Sequence, residues 1–537
     1  MDATEGLPRG MGKITRSLSE SRWYPTEYLP RHEFTFKPGQ IFLGATEWGY
    51  LGYGDDRHII TVAGSRAGKG TSLIVPNLLF WPGSCLAIDP KGELATITAS
   101  RRGGIGSKWS IPMSGKCYAL DPFEKVQGDA VQYRASFNPL QRLDADSEQG
   151  QELAAIIADS LVIQQEGPAA HWTQSARSFL RALILYVAKT ASPEEKNLVG
   201  LRAKLLAIIA EQSAQKTSAT LIHMMKYPGT IRHGAQSLSG KPANERGSVL
   251  STCDVQTDFL EDAAMKRVLV EHDFELEDMK TKRITVYLCL PPSHLATHGR
   301  WFRMMVGLAL EAMERTGEQP KELPPVLFCL DEFASLGHMH SLERAAGQIA
   351  SYGVKLWPIL QDLTQLQRDY GAGWETFLGN AGTMMFWGNN DLTTCQQVSE
   401  RLGNIAVETE SSTVATGTAT NTGRNEPDRN WYGMMKEDYV PQVGGSTETT
   451  STSSNETSQT GYQLVPVLSP AEFSIFFGWE AKRMALFVSG KPPVPVTRCD
   501  YFSKEHEKLF MGLYDPAPAQ ELPKYTADQV REMIEIS

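Results

Sequence analysis

The sequence predicts an α/β fold built on a mostly parallel sheet and interrupted by an all-helical inserted domain. Three observations carry this. Short apolar runs recur with polar residues at their C-terminal ends; in Val326-Leu-Phe-Cys-Leu330, followed by Asp331-Glu332, five uninterrupted apolar residues suit a strand buried on both faces. Another such run, carrying Ile59, Ile60 and Val62, opens into a Gly-rich turn and then a helical apolar pattern. Residues 141–245 instead place apolar side chains at three- and four-residue spacing, with few strand signals.

The 537 residues suffice for two or three domains and a large core. A formal net charge of −10 argues against a protein that coats nucleic acid with its whole surface, while leaving room for a local basic pore or stripe. The seven cysteines are scattered, which predicts a reducing compartment with neither a disulfide framework nor a zinc site. Nothing approaches the roughly 18–20 consecutive apolar residues of a spanning helix, and the N-terminus lacks a signal pattern, so the expectation is a soluble chain.

In chain order, residues 1–45 read as an extended lead-in, with a hairpin near 37–53 flanking the first core strand. The α/β domain is expected in three pieces, 46–140, 246–407 and 463–512, around the helical domain at 141–245. Strand-then-polar patterns end at Asp89 and Asp121 in the first piece, and return at 283–290, 326–330, 354–361 and 383–388 in the second. A long helix is expected over 300–315 and another over 341–352. Residues 408–462 are rich in Ser, Thr, Gly and Asn, which predicts a disordered loop. A last strand falls at 484–488, and 513–537 form a tail with a short polar helix.

Chemistry concentrates at the strand ends. Gly64-Ser65-Arg66-Ala67-Gly68-Lys69-Gly70-Thr71 joins a strand to a helix, the setting in which backbone N–H groups wrap phosphates and a lysine reaches the β- and γ-phosphates. Against G-x-x-x-x-G-K-[ST], the first glycine falls on Ala63 and the last hydroxyl on Gly70, so Thr71 offers the nearest hydroxyl for Mg²⁺. Asp331 suits the Mg²⁺ shell, and Glu332 the polarisation of an attacking water. Gln361 reads either as a γ-phosphate sensor or as a strand-end cap. Arg344 reads either as an arginine finger offered to a neighbour's nucleotide or as a solvated side chain. Arg66, Lys91, Arg101, Arg102, Lys108 and Lys116 form a basic segment with few acids, either a phosphate-facing surface or a solvated face.

Several of these stretches together resemble the TraG/TraD-type coupling ATPases of type IV secretion. They are Ala67-Gly-Lys-Gly70 with Pro76-Asn77, Asp89-Pro-Lys-Gly-Glu93, Phe137-Asn-Pro-Leu140, and His-Trp-Thr-Gln-Ser-Ala-Arg at 171–177. Further along come 287–292, Leu330-Asp-Glu-Phe-Ala-Ser-Leu-Gly337, Tyr352-Gly353, Leu360-Gln361 and Gly490-Lys-Pro-Pro493. The family's variant with Gly after the loop lysine matches Gly70. The resemblance implies a RecA-like P-loop NTPase domain interrupted by an all-helical domain, ATP and Mg²⁺ as cofactors, and homo-hexamers hydrolysing ATP at subunit interfaces. It also implies DNA as a partner, single-stranded or relaxase-bound, together with relaxase or effector proteins and type IV secretion components. Family members usually begin with a membrane-spanning segment and this sequence shows none, so the expected location is cytoplasmic, docked at the inner-membrane face through partners. Two alternatives stay open: a nucleotide-dependent platform that recruits cargo, and a related ring DNA translocase in defence or segregation.

Overall fold

The computed structural model describes Trp23 and residues 34–517, leaving out 165–166, 168–169, 215, 217, 318, 321 and 424–446, and describes residues 406–463 by their backbone alone. Thirteen strands are present among the described residues: β1 (Ile41–Thr46), β2 (Gly49–Tyr53), β3 (His58–Ala63), β4 (Cys85–Ile88), β5 (Lys116–Leu120), β6 (Ile284–Leu288), β7 (Val326–Leu330), β8 (Val354–Leu360), β9 (Ala381–Trp387), β10 (Asn404–Gly423), β11 (Thr447–Pro466), β12 (Arg483–Val488) and β13 (Val494–Thr497). Eleven make one sheet in the order β2-β1-β13-β12-β9-β3-β8-β7-β4-β6-β5. From β9 to β5 all neighbours are parallel, and β12, β13, β1 and β2 extend the β9 flank antiparallel. The predicted α/β class is therefore present.

Each residue of β3, β4, β6, β7, β8 and β9 is buried. A strand covered on both faces needs an unbroken apolar run, which is why these were readable. Because they run parallel, their C-terminal ends share one sheet edge. There β8 separates β3 from β7, so whatever follows Leu360 lies between the ends of the other two strands. The seven cysteines are all buried and free.

Between β5 and β6 the described elements are all helices, from the short turn Gly128–Tyr133 to Asp278–Thr281. The helical run thus continues past residue 245, where the sequence reading ends it. Helix Ala243–Thr257 carries few apolar residues, yet Val249, Leu250 and Cys253 are buried. Side-chain caps start two of these helices: Ser147 accepts from Gly150 N, and Asn197 from Gly200 N.

A second difference concerns 408–462. Residues 404–423 pair antiparallel with 447–466, from Asn404 opposite Pro466 to Gly423 opposite Thr447. The expectation of a disordered loop weighed only the apolar surface available for burial. Thr recurs through both strands, and β-branched residues favour extended backbone whose ladder needs no core. The expected lead-in lies outside the described residues over 1–22 and 24–33, while its end, 41–45, belongs to β1. The expected tail helix falls largely on 518–537, also outside them.

Candidate active site

At the shared edge, β3 passes into the loop Gly64–Gly70. Gly64 N donates to Trp387 O at 3.1 Å. A Cβ on Gly64 would lie 1.9 Å from Gly388 O, so only glycine allows this approach. Ser65 and Arg66 are exposed; Arg66 and Gly68 take left-handed conformations with φ of 57° and 81°. The carbonyl of Ala67 is held by Trp387 Nε1 at 2.7 Å and by Arg498 Nη1 at 2.6 Å. Lys69 then caps the turn Gly70–Ile74 that leads into helix Val75–Phe80.

Lys69 Nζ points at the paired carboxylates, 3.9 Å from Asp331 Oδ1 and 3.8 Å from Glu332 Oε1. Both separations exceed hydrogen-bonding distance. Lys69 Nζ and Asp331 Oδ1 are buried polar atoms with no hydrogen-bond partner. Orphaned buried groups are costly, and a cation and a carboxylate facing each other across a gap fit phosphate oxygens with a divalent ion between them. Burial pushes the Asp331 carboxyl up to about 6, opposed by Lys69 and reinforced by Glu332.

Glu332 itself is left-handed, with φ of 49°. A non-glycine residue held there stores roughly 1–3 kcal/mol. Its carbonyl accepts from Ser335 N at 2.7 Å as the chain enters the turn Phe333–Leu336. Its carboxylate accepts from Gln361 Nε2 at 3.0 Å. The structure therefore brings Lys69, Asp331, Glu332 and Gln361 together, from the ends of β3, β7 and β8.

Other expected residues go elsewhere. Thr71 Oγ1, expected at the metal, donates instead to Asp500 Oδ1 at 2.7 Å, because the segment after β13 packs over the loop and Tyr501 N donates to Thr71 O at 3.1 Å. Arg344 lies exposed on helix His340–Gln348, its guanidinium 3.8 Å from Glu314. The polar ends of β4 and β5 are used by turns: Asp89 accepts from Ala95 N at 2.8 Å, and Asp121 from Lys125 N and Val126 N at 2.8 Å each. Burial raises Asp89 to about 7. The basic segment is not one surface. Arg102 is buried and donates to Leu78 O, Trp81 O and Gly83 O, while Lys116 starts β5 at the opposite sheet edge.

Sequence reasoning missed Trp387, Asn389, Arg498 and Asp500. Asn389 Nδ2 donates to Gln361 O at 3.0 Å, fixing the strand end that presents the amide. No local spacing marks these residues as part of the site; the signals near them are the strand pattern at 383–388 and the Gly490-Lys-Pro-Pro493 stretch that leads into β13.

Known proteins resemble this chain along most of its length. The family model for type IV secretory system conjugative DNA transfer matches residues 21–530. Conjugal transfer protein TraG of Escherichia coli is 26% identical over 385 residues, covering 68% of this chain and 58% of its own length. Protein VirD4 of Rhizobium rhizogenes is 28% identical over 372 residues, covering 68% and 52%. The chain thus spans little more than half the length of these relatives. Among solved structures, the unbound bacterial conjugative coupling protein TrwBdeltaN70 aligns with a TM-score of 0.57 at 14% identity, over 89% of this chain and 92% of that one. Plasmid coupling protein TrwB in complex with ADP and Mg²⁺ aligns with a TM-score of 0.58 at 15% identity, over 89% and 94%. These likenesses give the RecA-like fold, and the family match over nearly the whole sequence gives the lineage. The chain belongs to the type IV secretory system conjugative DNA transfer family.

Proposed function

We propose that this chain is the ATP-hydrolysing coupling protein of a conjugative or type IV secretion apparatus. The observation that carries the reading is the buried, unpartnered pair Lys69 Nζ and Asp331 Oδ1, facing each other beside Glu332 at the edge of a parallel sheet. Backbone N–H groups of Gly64–Gly70 and the Lys69 ammonium would hold the phosphates of ATP, and Asp331 would hold Mg²⁺. When bound, the ion supplies charge neutralisation on the phosphoryl oxygens. Glu332 would orient the attacking water and take up its proton. Gln361 holds that carboxylate in place, a positioning role beside the γ-phosphate sensing that is one of its two sequence readings. Arg344, exposed on its helix, suits an arginine finger offered to a neighbouring protomer's nucleotide in a homo-hexamer.

The partners that follow are DNA, single-stranded or relaxase-bound, relaxase or effector proteins, and secretion components at the inner face of a membrane. No described helix is long and apolar enough to cross a membrane. Glu332→Gln tests the reading. ATP should still bind, while turnover falls on the order of 10²–10⁴-fold, the range of general-base catalysis. Wild-type turnover that rises with single- or double-stranded DNA, measured beside the mass in solution, supports a motor. Turnover indifferent to DNA, with cargo binding intact in Glu332→Gln, favours the recruitment platform.

A further inference from the structure

The loop leaving Glu332 carries a second cluster that nucleotide chemistry does not use. After the turn Phe333–Leu336 the chain runs Gly337-His338-Met339-His340 into helix His340–Gln348. Met339 is extended, with φ −132° and ψ 108°, and buried. Alternate side chains of extended backbone face opposite sides, so burying Met339 turns His338 and His340 outward together, and both are exposed. At His340 the period becomes helical, and Glu343, three residues on, rises on the same face. One carboxylate oxygen, Glu343 Oε2, consequently lies 3.3 Å from His338 Nε2 and 3.7 Å from His340 Nδ1. The two imidazoles meet edge to face with ring centres 4.3 Å apart.

Two imidazoles and a carboxylate form the His₂Glu donor set of Zn²⁺. Donors at about 2.0–2.1 Å around a tetrahedral ion sit roughly 3.3–3.4 Å from one another. The His338–Glu343 spacing meets this, and the three ligand atoms all lie within 4.8 Å of each other. The frame is preset: Arg303 Nη1 donates to His338 O at 2.9 Å, Glu343 N donates to Met339 O at 3.1 Å, and Leu342 is fully buried. A set dominated by imidazole selects against Mg²⁺, which takes oxygen ligands.

We propose that His338, His340 and Glu343 bind a divalent first-row transition ion of the Zn²⁺ class, with the fourth position open to water. Cysteine spacing, which predicts no zinc site, is blind to this set because no cysteine takes part. A bound ion would staple the loop that leaves Glu332 to the helix that bears Arg344.

The test uses the full chain without a polyhistidine tag, stripped with chelator and titrated with Co²⁺ and then Zn²⁺. One equivalent of Co²⁺ should give visible d–d absorption that Zn²⁺ displaces. His340 is 89% exposed, so His340→Ala should keep the wild-type circular dichroism while Zn²⁺ affinity falls roughly 10-fold or more. Glu343→Gln should weaken binding likewise. A wild-type chain that takes up neither ion stoichiometrically overturns the proposal, as does binding unchanged in both variants. Neither outcome bears on nucleotide binding.

Discussion

Gln361 Nε2 lies 3.0 Å from Glu332 Oε2 and 3.4 Å from Oε1, so one amide at the end of β8 spans both oxygens of the carboxylate at the end of β7. The pairing follows from strand order. The two strands run parallel as neighbours, with Leu330 opposite Pro358, so their next residues emerge side by side. The amide fixes the side chain of a residue whose backbone is already strained.

Gln361→Ala should therefore act on turnover and not on affinity. The carboxylate keeps its charge but loses its orientation, so kcat should fall about 10- to 10²-fold, less than removal of a whole general base costs. KM for ATP should change little. A variant that raises KM at unchanged kcat would mean that Gln361 serves ground-state binding alone.

Lys69→Ala should abolish nucleotide-dependent stabilisation. In the wild type, ligand at 100 times its Kd adds about 2.7 kcal/mol, read as a rise in thermal midpoint with Mg²⁺-ATP. The ammonium is the cation set between the two carboxylates and the loop, so its loss removes phosphate charge neutralisation. An undiminished ATP-induced shift in Lys69→Ala would exclude this loop as the phosphate site.

Much of this site was legible because its signals are local. An apolar run that ends in Asp331-Glu332, or one that opens into Gly64–Gly70, states strand, burial and sheet edge within ten residues. Thr71 shows where that stops: its partner Asp500 is 429 residues away, and spacing along the chain cannot report a contact closed by the fold. Arg102 failed for another reason. Its basic run reads as a phosphate-facing surface or a solvated face, yet three backbone carbonyls and Thr285 Oγ1 satisfy it in the interior. At 404–466 polar composition hid strand propensity, because composition measures burial and not backbone pairing.

The Thr71–Asp500 bond separates two roles for this hydroxyl. Thr71→Val removes the donor and Asp500→Asn the charge, so both should loosen the segment after β13, the first by about 1.5–3 kcal/mol for a hydrogen bond to a charged group and the second by less. The Mg²⁺ dependence of ATP binding should stay as in wild type. If Thr71→Val instead shifts the Mg²⁺ requirement while Asp500→Asn does not, the hydroxyl serves the ion.

Gly70 stands where the loop pattern has Ser or Thr, and an added Cβ there would meet nothing within 4 Å. Its φ lies outside the left-handed range. Gly70→Ser should fold and gain about 0.5 kcal/mol from helix propensity, while restoring the hydroxyl that the loop pattern places there for Mg²⁺. ATP binding at limiting Mg²⁺ should strengthen. Unchanged affinity across a Mg²⁺ titration would show that position 70 does not face the ion.

The opposite end of β3 begins with a buried histidine. His58 is 4% exposed, and its Nδ1 accepts from Leu356 N at 3.2 Å, which requires the neutral ring. Burial first, and then the Lys355 ammonium, lower its pKa from 6.5 to about 4. The unfolded chain therefore binds a proton that the folded chain refuses between these values. His58 contributes its full share of stability above about pH 6.5 and loses it as pH falls toward 4. A difference of about 2.5 units is worth about 3 kcal/mol, of which about 2 kcal/mol is gone by pH 5. Asn at this position keeps an acceptor for Leu356 N and cannot titrate. Between pH 7.5 and 5 the thermal midpoint of the wild type should drop further than that of His58→Asn, since the other titrating groups are shared by both. Parallel pH profiles for the two proteins would remove His58 as the group responsible.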